Sequence, residues 1–435
     1  MFSYAIMFLC PVVLYIVAMA TRVHRHPIWI VTLLGYVVRM AFQYVSQNIA
    51  FFSTQVARSD SLFYELGAQQ VAMIWERTGV HYVTQGELAW IGAASLPCNL
   101  FALIIYVNNG IATEGCTAIC ALCASLTVLN IYFLARELGV PERRAIIISS
   151  LIMFSPAFVF HTADTYKDGL VIFFTIGSLA SSIRLSRRFS ILHAVVGVVC
   201  LWALWYVRFY LVFITVAPLF VGLAGLNSKS LLRPVLFALI AGTVAFYVLS
   251  YSEAFNDAYT TATNAFDVGT SARVRGTNAR IAGSGVTFDD EGDIYGALHV
   301  KLLYTLFSPF PWQAGSFGLQ LGKFDAILGM YFFWRSLVAL KRKWANERGT
   351  LLTLLSFIIP LSITYALNVA NIGLVFRQRM PIVFMIILLG SLSWSEDTKK
   401  VVEEVPAERP LTRKERIEAL RKRLTRPKPA FLRSG

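Results

Sequence analysis

Apolar runs recur along most of the chain, beginning near Phe2, Ile28, Ile111, Ala145, Gly169, Ile191, Phe209, Leu232, Phe324, Leu351 and Pro381. A helix needs about 20 predominantly apolar residues to cross the hydrocarbon of a bilayer. The runs have that length and predict about eleven membrane-spanning helices, an all-α fold built as a polytopic transmembrane helical bundle. The first run has no basic residue before it, and Arg22 and Arg25 follow it. A secretory signal has the opposite polarity, so this run is expected to be an uncleaved first helix.

The polar connections alternate in charge. Arg22 and Arg25, then Arg136, Arg143 and Arg144, then Arg184, Arg187 and Arg188, then Lys229 and Arg233, then the stretch from Lys341 to Arg348 occupy every second loop. Excess Lys and Arg mark the cytoplasmic side of a membrane protein. Residues 1–395 are thus expected to form the transmembrane domain, with the N-terminus outside. Residues 396–435 form a basic cytoplasmic tail, in which 412–424 can make an amphipathic helix suited to an anionic leaflet. Outward segments fall at 47–110, 161–168, 205–208, 250–322 and 368–379, the two longest carrying short interfacial helices. Counting the apolar stretch 90–107 as a span would invert every later loop. Its Pro97 and Asn99 favour a re-entrant or interfacial helix instead. Residues 191–226 are long enough for two short spans joined by a turn at Trp205, Tyr206 and Arg208, which keeps the arginine out of the bilayer centre.

Composition supports this picture: 56% of the 435 residues are hydrophobic, 15% are charged, and the mean hydropathy is +0.60. Soluble domains carry nearer a quarter charged residues, about 25%. The net charge of +14 sits in loops and tail rather than on one face, which argues against a nucleic-acid partner. All six cysteines lie inside apolar stretches and are expected to be packing residues. Neither a phosphate-binding glycine loop nor a dinucleotide fingerprint is present. The acidic run Asp289, Asp290, Glu291 and Asp293 lacks calcium-loop spacing.

Ionisable residues at the outer ends of spans are the candidates for chemistry, because dehydrating a charge is costly without a partner or a purpose. Arg58, Asp60 and Glu65 follow the second span; in a helix Asp60 and Tyr64 would share a face, and a carboxylate there can take a proton from a hydroxyl. In HTADTYKDGL, Asp164, Lys167 and Asp168 stand between two spans, where Lys167 could contact a phosphate. Arg208 ends a span, and Arg377 and Arg379, two residues apart, could grip a phosphate through bidentate bonds. The plainer readings are a solvated loop acid, a salt-bridged helix cap and arginines anchoring helix ends at the headgroups. Arg39 lies near the middle of the second span, with no partner evident from the sequence.

In these residues the chain resembles the GT-C superfamily of membrane glycosyltransferases, which draw sugars from polyprenyl-phosphate donors. The likeness runs through Asp60 with SLFYELG behind it, the turn LARELGVPERR, SPAFVF with Pro156 followed by KDGL, LFSPFPWQ with Pro309, Pro311 and Trp312, and FRQRMP before the last span. The chain is also similar to bacterial exopolysaccharide and O-antigen polymerase-type membrane proteins. The resemblance implies a bacterial inner-membrane enzyme that moves a sugar from a polyprenyl-phosphate-linked donor to a glycan or lipid-linked acceptor on the non-cytoplasmic face. Asp60 would be the catalytic base, and Glu65, Asp164, Lys167, Asp168, Arg208, Arg377 and Arg379 would bind substrate. It names no metal ligand and leaves the need for a divalent cation open. Two alternatives stand beside it: a lipid-linked repeat-unit polymerase or ligase centred on the arginines, and a lipid-linked oligosaccharide flippase or transporter. Trp75, Trp90, Trp205 and Trp312, in outward segments, suit sugar stacking and interfacial belts equally.

Overall fold

Helices account for nearly all of the architecture in a computed structural model that describes residues 2–49, 60–225, 298–313, 317–368 and 377–395. No strand occurs among them. In chain order the helices are α1 Phe2–Ala20, α2 Pro27–Asn48, α3 Asp60–Thr78, α4 Ser95–Asn108, α5 Thr113–Glu137, α6 Glu142–Met153, α7 Pro156–Thr162, α8 Asp168–Arg187, α9 Ile191–Arg208, α10 Tyr210–Ala224, α11 Leu298–Phe307, α12 Phe317–Lys343, α13 Arg348–Asn368 and α14 Met380–Ser391. A short 3-10 turn, Ala89–Ala94, leads into α4. The described helices belong to one compact unit that ends at Trp394. Arg58, the apolar run at Leu232, the acidic run at 289–293 and the amphipathic stretch 412–424 lie outside the described residues.

Among the described residues six helices are long and apolar enough to cross a membrane: α1, α2, α5, α8, α9 and α13. The pair α6 and α7 passes the same test as one span bent by 54°. The protein is therefore a membrane-embedded helical bundle. The remaining expected spans that fall on described residues are shorter or more polar. Helix α10 has 15 residues and α14 has 12, and α12 carries Lys323, Asp325 and Arg335 along its 27 residues. Helix α4, at 14 residues, is too short to span unaided. Its Asn99 amide is satisfied by protein, bonding both the N–H and the C=O of Val83 and the C=O of Ser95.

Helix α8 is the axis of the bundle, packed against α5, α9, α10 and α13. In a bilayer the hydrophobic effect gives no drive between helices, which associate instead through close van der Waals fit that small residues permit. A Cβ on Gly169 would lie 2.9 Å from the Cys120 carbonyl oxygen, and one on Gly222 only 2.3 Å from that of Ser182. Helices α9 and α10 form the expected hairpin, with the Trp205 and Phe213 rings 6.3 Å apart across it. All six cysteines are buried and free.

The bend between α6 and α7 follows from Pro156, which lacks an N–H and disfavours helix at the residue before it. A broken helix in lipid leaves polar backbone groups that something must satisfy. Arg39, fully buried on α2, does so on one side. Its Nη2 donates to the Met153 carbonyl at 3.1 Å, its Nη1 to Gly35 O at 2.9 Å and its Nε to Thr162 Oγ1 at 2.7 Å. The guanidinium also lies 4.6 Å from the Phe158 ring centroid. On the other side, Asp325 Oδ2 of α12 accepts from the Ala157 N–H at 2.8 Å, beside Ser155 Oγ, which accepts from Phe158 N–H at 3.4 Å. Arg39 and Asp325 thus stitch the two half-helices to α2 and α12.

Candidate functional site

Four separate stretches of sequence deliver charged side chains to one place. Asp60 opens α3, Asp168 opens α8, Arg208 closes α9, and Arg377 precedes α14. Both carboxylates sit in the first turn of a helix, where the dipole favours negative charge. Arg377 bridges them: its Nε donates to Asp168 Oδ2 and its Nη1 to Asp60 Oδ2. The other Asp168 oxygen, Oδ1, accepts from Arg208 Nη2 at 3.4 Å. The Asp168 side chain is 2% exposed, whereas that of Asp60 is 53% exposed. Asp168 is the buried anchor of the cluster, and Asp60 faces out of it.

Aromatic rings support the cations. The Arg377 guanidinium lies 4.6 Å from the Tyr166 ring centroid, Lys167 Nζ 5.2 Å from that of Tyr64, and the Arg208 guanidinium 5.9 Å from that of Tyr210. Cation–π contacts of this kind hold a desolvated cation without neutralising it. Burial pulls the Lys167 ammonium down to about 7, with Arg208 pushing the same way and Asp168 opposing. Burial pushes the Tyr166 phenol up to about 12, although Arg377 counters it. Arg377 Nη2 is buried and has no hydrogen-bond partner among the described residues.

Of the sequence-derived candidates, Asp60, Lys167, Asp168, Arg208 and Arg377 are brought together. Glu65 and Asp164 form a neighbouring buried pair instead. Glu65 accepts from Thr113 Oγ1 at 2.6 Å, and burial raises its carboxyl above the ordinary range, with the charge of Asp164 adding to the shift. Asp164 Oδ1 accepts from the Thr165 N–H at 2.7 Å.

The expectation that Arg377 and Arg379 act as a pair needs correction. Arg379 Nη1 donates to the Thr305 carbonyl of α11 at 3.1 Å, and its electrostatic partner is Asp325, away from Asp60 and Asp168. Residues two apart in a helical turn face different sides, so the two guanidinium groups diverge.

Tyr166 and Asp325 are site or support residues that sequence reasoning missed. Tyr166 stands inside the same HTADTYKDGL stretch, next to Lys167, and an aromatic beside a buried cation was the available signal. Asp325 lies in an apolar run, where an acid calls for a partner. Among the outward tryptophans, Trp75 is core at 4% exposure, while Trp312 stands open and stacks on Phe310 at 4.9 Å.

Among the described residues no group of three or more His, Cys, Asp or Glu side chains is placed to hold a metal ion. No family model matches the chain, and no characterised protein or solved structure matches it either.

Three cations face two carboxylates in this cluster, one carboxylate is committed to two arginines, and a guanidinium nitrogen is left over. Such a constellation can receive an anion of the size of a phosphate, since charge-assisted bonds to guanidinium are the strong ones. It also holds one accessible carboxylate beside that anion.

Proposed function

We propose that this protein is a glycosyltransferase of surface-polysaccharide synthesis, acting in a bacterial inner membrane with about eleven crossings, its N-terminus outside and its C-terminus in the cytoplasm. The donor is a polyprenyl-phosphate-linked sugar and the acceptor a glycan or lipid-linked glycan on the non-cytoplasmic face. One observation carries the proposal: the open Asp60 carboxylate and the unfilled Nη2 donor belong to the same Arg377-centred cluster at the end of the spanning helix α8.

The donor phosphate binds Arg377 Nη2 and Lys167, and competes with Asp60 for the guanidinium. The freed carboxylate takes the proton of the acceptor hydroxyl as its oxygen attacks the anomeric carbon. The bond from that carbon to the phosphate oxygen breaks, and the charge that develops on the departing phosphate is held by the cations. Asp168 keeps Arg377 and Arg208 oriented.

Replacement of Asp60 by Asn is the direct test. Sugar transfer from a polyprenyl-phosphate donor in proteoliposomes is expected to fall by about 100-fold or more, the usual worth of a positioned base. Full transfer by a normally inserted variant would remove Asp60 from the mechanism. The shared use of Asp168 by Arg208 and Arg377 favours a second reading, a repeat-unit polymerase working through arginines. Unpolymerised single repeats in a strain lacking the protein would select it.

A further inference from the structure

The opposite end of α8 carries a second charged site. Helix α8 has 20 residues, so at about 1.5 Å per residue its C-terminal arginines lie roughly 30 Å from Asp168. There a cavity of about 570 Å³ opens between the ends of α5, α8 and α9, lined by Glu137, Arg184, Arg187, Arg188, Phe189 and His193. Three arginines thus face one carboxylate.

The wall is built rather than incidental. Arg184 grips Glu137 with two bonds, Nε to Oε2 at 2.8 Å and Nη2 to Oε1 at 2.9 Å. Arg187 donates to the Glu137 carbonyl oxygen, and its Nη2 lies 3.5 Å from Glu347. Glu137 therefore neutralises Arg184 and holds Arg187 in place. Arg188 makes no ion pair among the described residues. The cavity keeps a net positive charge after its internal pairs are counted.

Its rim is apolar on one side. Phe189 and the first turns of α9 present Ile191, Leu192 and Val195 outward, with Ile191 72% and Leu192 68% exposed. On a spanning helix those side chains face acyl chains. A ligand that fits both halves has an anionic head and a hydrocarbon body joined to it, and basic pockets beside transmembrane helices suit lipid headgroups.

We infer that this cavity is a binding site for the phosphate headgroup of an anionic phospholipid, entered sideways from the leaflet, with Arg187 and Arg188 on the phosphate and the α9 rim on the acyl chains. It is separate from the Asp60 cluster and does not depend on the reaction assigned there.

The full-length chain, stripped of lipid in detergent, is incubated with equal amounts of phosphatidylglycerol and phosphatidylcholine, and the lipid it retains is counted by native mass spectrometry. The wild-type protein should retain phosphatidylglycerol in preference. Arg188→Gln should lower that retention about fivefold, as expected for one basic residue at an anionic lipid surface. Ile191→Asn, which leaves every charge in place, should lower it as well. Equal retention by the Arg188→Gln protein, equal retention of the two lipids, or displacement by an equal concentration of soluble glycerol phosphate would each overturn the assignment.

Discussion

Arg39 and Arg377 are both buried guanidinium groups in a membrane protein, yet their surroundings differ in one respect. Every nitrogen of the Arg39 guanidinium is used, by Thr162, Gly35 and Met153. Arg377 spends Nε and Nη1 on Asp168 and Asp60 and keeps Nη2 buried without a partner among the described residues. A closed set of bonds is what structure needs, because each unsatisfied group in a dry place costs about 1–3 kcal/mol. An open set is what a ligand needs. The pair separates a charge that closes a broken helix from one that keeps a donor open.

The sharpest way to break that distinction is to remove Arg377. In Arg377→Gln, sugar transfer should fall by about 10²–10³, the usual worth of a donor that stabilises developing charge, while the protein inserts and elutes as a folded species. Arg377→Lys should recover little, because a point charge cannot span Asp60 and Asp168 as the planar fork does. Wild-type transfer in either variant would make the cluster structural. Next comes Arg39→Met, which leaves the Met153 and Gly35 carbonyls and the Thr162 hydroxyl without their donor. It should lower unfolding stability by about 3 kcal/mol in a denaturant titration in micelles, whatever it does to transfer. A variant as stable as wild type, but inactive, would place Arg39 in the site after all.

The smallest effect concerns Lys167. Burial holds its free ammonium down at about 7, and a bound phosphate would let the proton be retained to higher pH. The bound state then holds more protons than the free state, so donor affinity should weaken as pH rises above about 7, by up to about tenfold per unit. Binding of a fluorescent polyprenyl phosphate between pH 6 and pH 9 reads this directly, and Lys167→Gln should flatten the profile. A wild-type profile already flat would take Lys167 off the phosphate.

Much of the cluster was legible because ionisable residues at the ends of apolar runs stand out against their background. Asp60, Lys167, Asp168, Arg208 and Arg377 were all found on that ground. What failed was any inference that depended on which way a side chain turns. Arg377 and Arg379 looked like one grip and proved to be two, separated by their half-turn of helix. Arg39 could not be assigned a partner, since its acceptors include a backbone carbonyl 114 positions away that exists as an acceptor only because the helix breaks there. The bundle itself followed from the apolar runs. The shortness of α14 did not, because its residues are buried against α12, and hydropathy alone cannot tell a protein surrounding from a lipid one.

Where α8 meets α10 the main chains come so near that Gly222 has no room for even one methyl group against Ser182, and Gly169 is nearly as tight against Cys120. Neither neighbour can slide along that helix without collision, so α5, α8 and α10 travel together as a fixed spine. If the proposed reaction holds, movement that admits its donor falls to the flank formed by α3 and α4, which pack mainly on each other rather than on the spine. A cycle built on rocking one half of the bundle past the other would have to pry this spine apart.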